Sequence, residues 1–248
     1  MFTVEERDRV RNRLVQMSRE DPRLVAGALV GSTAAGGGDQ WSDLDLSFGL
    51  ADNAILDDVL ADWTARLKSQ FGAVRLFDLP YLSTMYRVFL LPGNLQVDLS
   101  FTPGNKFLAQ GLKYDLIFGD ALERDQAKPS PPEHVFGIAV VYLLHARACI
   151  ARGRMWEAEY CISAARDQAL SLACQHRGLK TSYGRGFDDL PPETLKSFAE
   201  ILVGSLERTQ LLRALSKTID ELLHNSQDVR ELASRLELGL HELALNRD

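Results

Sequence analysis

The chain has 248 residues, 46% of them apolar and 25% charged, with a formal net charge of −6. That length accommodates one large domain or two smaller ones, and the balance is that of an ordinary soluble globular protein. The acidic sign excludes the overall basic character of a nucleic-acid-binding domain.

The N-terminal stretch MFTVEERDRVRNRL is charged and amphipathic. It lacks the apolar core of a signal peptide, and no run of 18 apolar residues occurs in the chain, so a cytoplasmic location is expected. Thr3 and Glu6 have the spacing of a capping box for a first helix to about Arg19, ended by Asp21-Pro22. Leu24 to Val30 reads as a buried strand and Asp43 to Leu50 as a second. Ile55, Val59, Leu60, Trp63, Leu67 and Phe71 lie near one face of a helix. Ala73 to Leu79 reads as a third strand. Thr84 to Leu91 and Leu95 to Phe101 are two more, joined by the turn Pro92-Gly93-Asn94. The first part is therefore an α/β (α+β) unit: a mixed sheet with helices on one side.

The pattern changes near Ala127. KPSPPE, Lys128 to Glu133, is a proline-rich break, and strand signals end there. Helical runs follow at about 133–151, 154–177, 192–205, 207–225 and 227–244, with Pro191-Pro192 suited to a helix start. A sheet domain over 1–127 and an all-α helical bundle over 128–248 are expected. Cys149, Cys161 and Cys174 fall in the helical part, odd in number and without a CxxC pattern, which argues against zinc and for buried thiols in a reducing cytosol. The leucine stripe Leu211, Leu212, Leu215, Ile219, Leu222 and Leu223 is bundle core, with a homodimer face as the alternative.

The stretch GSTAAGGGDQWSDLDLSFGL, Gly31 to Leu50, holds the chemistry. Strand residues alternate sides, so Asp43 and Asp45 share one face while Leu44 and Leu46 enter the core. Two carboxylates about 7 Å apart along a strand repel each other unless solvent or a cation intervenes. Asp98 lies in Gln96-Val97-Asp98-Leu99-Ser100, where apolar residues should dominate. If that strand pairs beside the second one, three carboxylates converge as hard oxygen ligands suited to Mg²⁺ or Mn²⁺. Gly31-Ser32 follows a buried strand directly. The glycine permits close approach to the backbone, and a short helix starting there would offer N–H groups and the Ser32 hydroxyl to a phosphate. A phosphate site beside two metals about 4 Å apart is the layout that phosphoryl or nucleotidyl transfer requires. The plain alternative is that Asp43 and Asp45 protect an edge strand.

Gly31-Ser32, ten intervening residues and Asp43-Leu44-Asp45-Leu46, with Asp98 on a later strand, resemble the signature of the polymerase-β-type nucleotidyltransferase superfamily over roughly residues 20–105. The resemblance implies a nucleoside triphosphate, probed first as ATP, and two Mg²⁺ ions. It implies that Gly31 and Ser32 hold the triphosphate, with Ser42 beside them, and that Asp43 and Asp45 bind both metals. Asp98 would bind the catalytic metal or deprotonate the acceptor hydroxyl. The run Gly36-Gly37-Gly38 departs from a tidy phosphate loop.

In the helical half, Trp156, Glu159, Ser163 and Arg166 are spaced three, four and three apart and line one helical face, with Tyr160 and Asp167 beside it. Glu159 could capture an acceptor amine or act as a second base, Arg166 could hold a phosphate, and Trp156 or Tyr160 could stack on a ring. An internal Glu159–Arg166 pair is the structural alternative. The stretch is similar to the helical part of small-molecule nucleotidyltransferases of the aminoglycoside and lincosamide type. The expected reaction moves AMP from ATP to a hydroxyl of such an antibiotic, with no nucleic acid and no membrane involved. A protein- or RNA-modifying antitoxin-like enzyme and a non-catalytic nucleotide-binding module are the competing classes. Lys180 to Asp188 reads as an exposed loop that could close over the triphosphate, and the five histidines show no ligand spacing.

Overall fold

The computed structural model describes residues 1–36, 38–108, 114–122 and 129–245. The chain divides into two compact units, Met1–Ala127 and Lys128–Asp248. The first opens with α1 (Val4–Glu20), whose capping box is formed: the Glu6 amide donates to Thr3 Oγ1 at 3.1 Å and the Thr3 amide to Glu6 Oε2 at 2.8 Å.

A six-stranded sheet follows, built from β1 (Leu24–Val30), β2 (Leu44–Leu50), β3 (Val74–Tyr81), β4 (Thr84–Leu91), β5 (Leu95–Pro103) and β6 (Tyr114–Phe118), in the order β3-β4-β5-β2-β1-β6. Every neighbouring pair is antiparallel except β2 and β5. That parallel pair needs a long crossover, which runs through α2 (Leu56–Phe71), β3 and β4. Its register sets Asp45 opposite Asp98.

Alternation then separates two faces. Leu44, Leu46, Phe48 and Leu50 of β2 and Leu95, Val97, Leu99 and Phe101 of β5 are buried with Leu14 and Met17 of α1 and Val59, Leu60, Trp63 and Leu67 of α2. Phe48, Trp63 and Phe101 stack at the centre, with ring centroids 5.0 to 6.0 Å apart. The other face receives Asp45, Ser47, Asp98 and Ser100. Behind the core, Asp21 accepts from Trp63 Nε1 at 3.0 Å and from Arg23 at 2.8 and 2.9 Å.

Three details differ from expectation. β6 is an additional strand, pairing with β1. It is short and carries no strict alternation of apolar and polar residues, so its pairing depends on β1 rather than on its own pattern. β2 begins at Leu44, which leaves Asp43 at the end of the preceding loop. β3 continues through Pro80 to Tyr81, tolerated because it is an edge strand.

The second unit comprises α3 (Pro132–Ala151), α4 (Met155–His176), α5 (Pro192–Ala199), α6 (Arg208–His224) and α7 (Arg230–Ala244). The helix expected over 192–205 stops at Ala199, ahead of Gly204, and the last begins as a 3-10 turn, Gln227–Val229. α3 is long and apolar enough to cross a membrane by length and composition. Its apolar residues Phe136, Ala139, Leu143, Ala146 and Ile150 are instead buried in the bundle core, with Ile162, Ala165 and Ala169 of α4. Leu211, Leu215, Ile219 and Leu222 complete that core, and all three cysteines are free and buried. The KPSPPE break lies partly outside the described residues; Pro132 is the first residue of α3.

Candidate active site

The site in the first unit begins where β1 ends. Gly31 has φ +75° and opens a 3-10 turn, Gly31–Gly36. A Cβ on Gly31 would overlap Asp45 Oδ2. The close approach that a glycine permits is thus first used by the chain's own carboxylate. Ser32, the next residue, is exposed at the start of the turn.

Asp43, Asp45 and Asp98 each offer a carboxylate oxygen, and these oxygens lie within 4.8 Å of one another. Among the described residues this is the only such gathering of three acidic, histidine or cysteine side chains. All three are partly buried. Asp98 titrates above its ordinary value of 3.8. Burial is the main cause, and the neighbouring Asp43 charge adds to it against a lowering hydrogen bond from Gln96. That bond is bifurcated: Gln96 Nε2 donates to Asp98 Oδ1 at 3.0 Å and to Oδ2 at 3.2 Å. Three converging carboxylates form a hard-oxygen donor set of the kind that can hold a divalent cation.

The loop before Asp43 is tightly tied. Asp39 Oδ1 accepts from the Trp41 amide at 2.9 Å and from the Ser42 hydroxyl at 3.1 Å, and Ser42 Oγ accepts from the Asp39 amide at 2.9 Å. The Ser42 hydroxyl, expected beside the triphosphate, is therefore engaged within its own turn. Trp41 is carried on this turn with 65% of its surface exposed.

Glu159 and Arg166 belong to α4, in the second unit. Ser163 Oγ donates to Glu159 Oε1 at 2.7 Å, while Arg166 donates to Asp167 Oδ1 at 2.8 and 3.0 Å. The alternative Glu159–Arg166 pair is not what forms; each charge is answered by a nearer neighbour. Trp156 and Tyr160 are exposed, and Tyr142 of α3 meets Tyr160 edge-on at 6.4 Å. In the Lys180–Asp188 loop the Arg185 guanidinium lies 5.6 Å from the centre of the Tyr183 ring. His176 and His241 lie 3.2 and 3.8 Å from Asp228 and Asp220 and gather no ligand set.

Gln96, which donates to Asp98, Arg7, which donates to the Asp39 carbonyl in the loop before Asp43, and Tyr142, which meets Tyr160, are the residues that sequence reasoning missed. Gln96 had a usable signal, since its spacing of two from Asp98 places both on one strand face. Tyr142 and Arg7 owe their positions to contacts between elements, which spacing within one element does not reveal.

No family model and no curated protein matches the chain. Among solved structures it is similar to the crystal structure of an aminoglycoside 6-adenyltransferase from Bacillus subtilis, with 12% identity and a TM-score of 0.42, over 98% of this chain and 99% of that one.

Proposed function

We propose that the chain is a metal-dependent nucleotidyltransferase that moves a nucleoside monophosphate, with ATP as the first donor to test, onto a hydroxyl of a small molecule. The observation that carries this reading is the parallel β2/β5 register, Asp45 opposite Asp98, with Asp43 completing a cluster whose oxygens lie within 4.8 Å. Asp43 and Asp45 would hold two Mg²⁺ ions and Asp98 one of them; the bound ions supply Lewis-acid activation of the attacking oxygen and neutralise charge on the pyrophosphate. The exposed turn at Gly31 and Ser32 would offer backbone N–H groups and a hydroxyl to the phosphates. The acceptor oxygen attacks the α-phosphorus, the bond to pyrophosphate breaks, and the hydroxyl proton passes to a carboxylate. Asp98 is the candidate for that role where it is not itself a metal ligand.

Glu159 and Arg166 are the second unit's candidates: Glu159 for an acceptor amine or as an alternative base, Arg166 for a phosphate. Trp156 and Tyr160, exposed on the same helix, offer stacking surfaces. The net charge of −6 favours a cationic acceptor, which makes an aminoglycoside or lincosamide the first choice. The reading places the enzyme in the cytoplasm, where ATP and Mg²⁺ are abundant.

The test is a screen of labelled nucleoside triphosphates with Mg²⁺ against aminoglycosides, lincosamides and cell extract. Label on a small molecule, lost in Asp43→Asn and Asp45→Asn, supports the reading. Full activity in those variants overturns it. Label on protein or RNA overturns the choice of acceptor.

A further inference from the structure

Arg7 stands out on α1. Its neighbours Glu5, Glu6 and Arg9 are exposed and Asp8 partly so, yet Arg7 is only 3% exposed. Its Nη1 donates to the backbone carbonyl of Asp39, 32 residues away in the chain. Its Nη2 is 3.4 Å from Asp8, and its Nε is buried with no partner among the described residues. An aliphatic side chain of similar size would fill such a place without the desolvation cost of a guanidinium. What an aliphatic residue cannot do is hold a backbone.

The segment being held explains the need. Gly38 has no side chain by which packing could fix it, so a hydrogen bond to the adjoining backbone is a direct way to tether the segment that leads into Asp39. Gly38 has φ +96°, and a Cβ there would sit 3.1 Å from Thr33 Cγ2, 3.3 Å from Ser42 Oγ and 3.4 Å from Arg7 Nη1. The glycine lets the backbone pass close to Thr33 and Ser42, with the arginine beside it. Beyond it, the Asp39–Ser42 turn is locked by its own hydrogen bonds, and the next residue is Asp43. Asp45 and Asp98 are fixed by the sheet, whereas Asp43 precedes β2 and takes its place from this loop.

We propose that Arg7 is a positioning residue that sets Asp43 in the carboxylate cluster by holding the Gly38–Ser42 segment through the Asp39 carbonyl; the inference rests on the metal reading of that cluster. Manganese titration of the full chain, followed by electron paramagnetic resonance, tests it without requiring turnover. Arg7→Met should weaken Mn²⁺ binding by about tenfold, at the low end of the range for residues that orient a metal ligand. In Asp43→Asn the same change should add little, because the residue being positioned no longer binds. Arg7→Lys, which retains one donor, should recover part of the loss. Gly38→Ala, which leaves α1 untouched and strains the segment at φ +96° against Thr33 and Ser42 beside the Arg7 contact, should weaken binding as Arg7→Met does, and it keeps the test open if Arg7→Met does not fold. Additive losses in the Arg7→Met/Asp43→Asn double variant, or unchanged affinity in folded Gly38→Ala, overturn the positioning role while leaving the metal site intact. A wild-type chain that binds no Mn²⁺ overturns the metal reading, and this inference with it.

Discussion

The two faces of β2 and β5 are made by the same residues in strict alternation, and they obey opposite rules. On one face Leu46, Phe48, Leu99 and Phe101 close against α1 and α2, around the Phe48–Trp63–Phe101 stack. On the other, Asp45 and Asp98 stand side by side, with Asp43 within reach and Ser47 and Ser100 alongside. Like charges brought together raise the free energy of the fold, so the acidic face does not contribute to stability as the apolar one does. Stability and chemistry are therefore separable here: substitutions on the apolar face should change folding and leave the reaction's chemistry alone, and those at the three carboxylates the reverse.

The sharpest form of that separation is Asp98→Asn. The amide keeps shape and removes a charge that burial and Asp43 disfavour. Transfer should fall by a hundredfold to a thousandfold or more, on the order of what a lost electrostatic contact costs in a transition state, while the melting temperature holds or rises. The pH dependence follows in sign. Asp98 has a folded pKa above 3.8, so its destabilising charge is absent below about that pH and fully present above the raised value. Mg²⁺ should accordingly raise the melting temperature of the wild type more at neutral than at acid pH, and Asp98→Asn should flatten that difference. A large loss of melting temperature in Asp98→Asn would show that the acidic face supports the fold.

Phe48→Ala is the counterpart on the apolar face. Emptying a fully buried ring at the centre of the stack should cost about 3–5 kcal/mol by denaturant unfolding. The folded fraction should keep its Mn²⁺ affinity, since Leu44 and Leu46 still fix the strand beside Asp45. Lost metal binding in the folded fraction would break the separation.

Those two faces were legible in sequence for one reason: each is written in residues two apart. Asp98 could be picked out because a carboxylate interrupts an apolar alternation, and Leu24–Val30 and Thr84–Leu91 have in the structure the bounds that their apolar patterns mark. What could not be read depends on contact between distant segments. Arg7 on an amphipathic helix looks like one more solvated charge until the loop 32 residues later arrives above it. Gly38 looks like a spacer until Thr33, Ser42 and Arg7 surround the place where its Cβ would be. Gly31 was legible as a site of close approach, but not that Asp45 would occupy the space. β6 was missed because its pairing partner, not its own composition, makes it a strand.

A middle-sized effect tests the anchoring of the apolar side. Asp21 is buried at the end of α1. Burial acts most strongly and would raise its pKa, but hydrogen bonds from Arg23 and Trp63 together outweigh it and leave the pKa below 3.8. A depressed folded pKa contributes stability that is present above the unfolded value and is lost as pH falls through the folded one. Asp21→Asn should therefore cost about 1–3 kcal/mol at neutral pH and narrow to nothing in strong acid. A constant difference across that range would assign the loss to packing rather than charge.

The smallest effect asks whether the polar face beyond the acids is also given over to function. Ser100 Oγ donates to Ser47 Oγ at 2.8 Å, and both are buried. Removing either hydroxyl leaves the other unpaired, at roughly 1 kcal/mol or somewhat more. Removing both leaves no orphan, so Ser47→Ala/Ser100→Ala should lie closer to wild type than either single variant. If the pair only satisfies itself, Mn²⁺ affinity and transfer rate will be unchanged in the double variant, and function on this face is confined to the carboxylates and the loop that carries Asp43. A fall in transfer with unchanged unfolding free energy would instead extend the working surface down β2 and β5 to the hydroxyls.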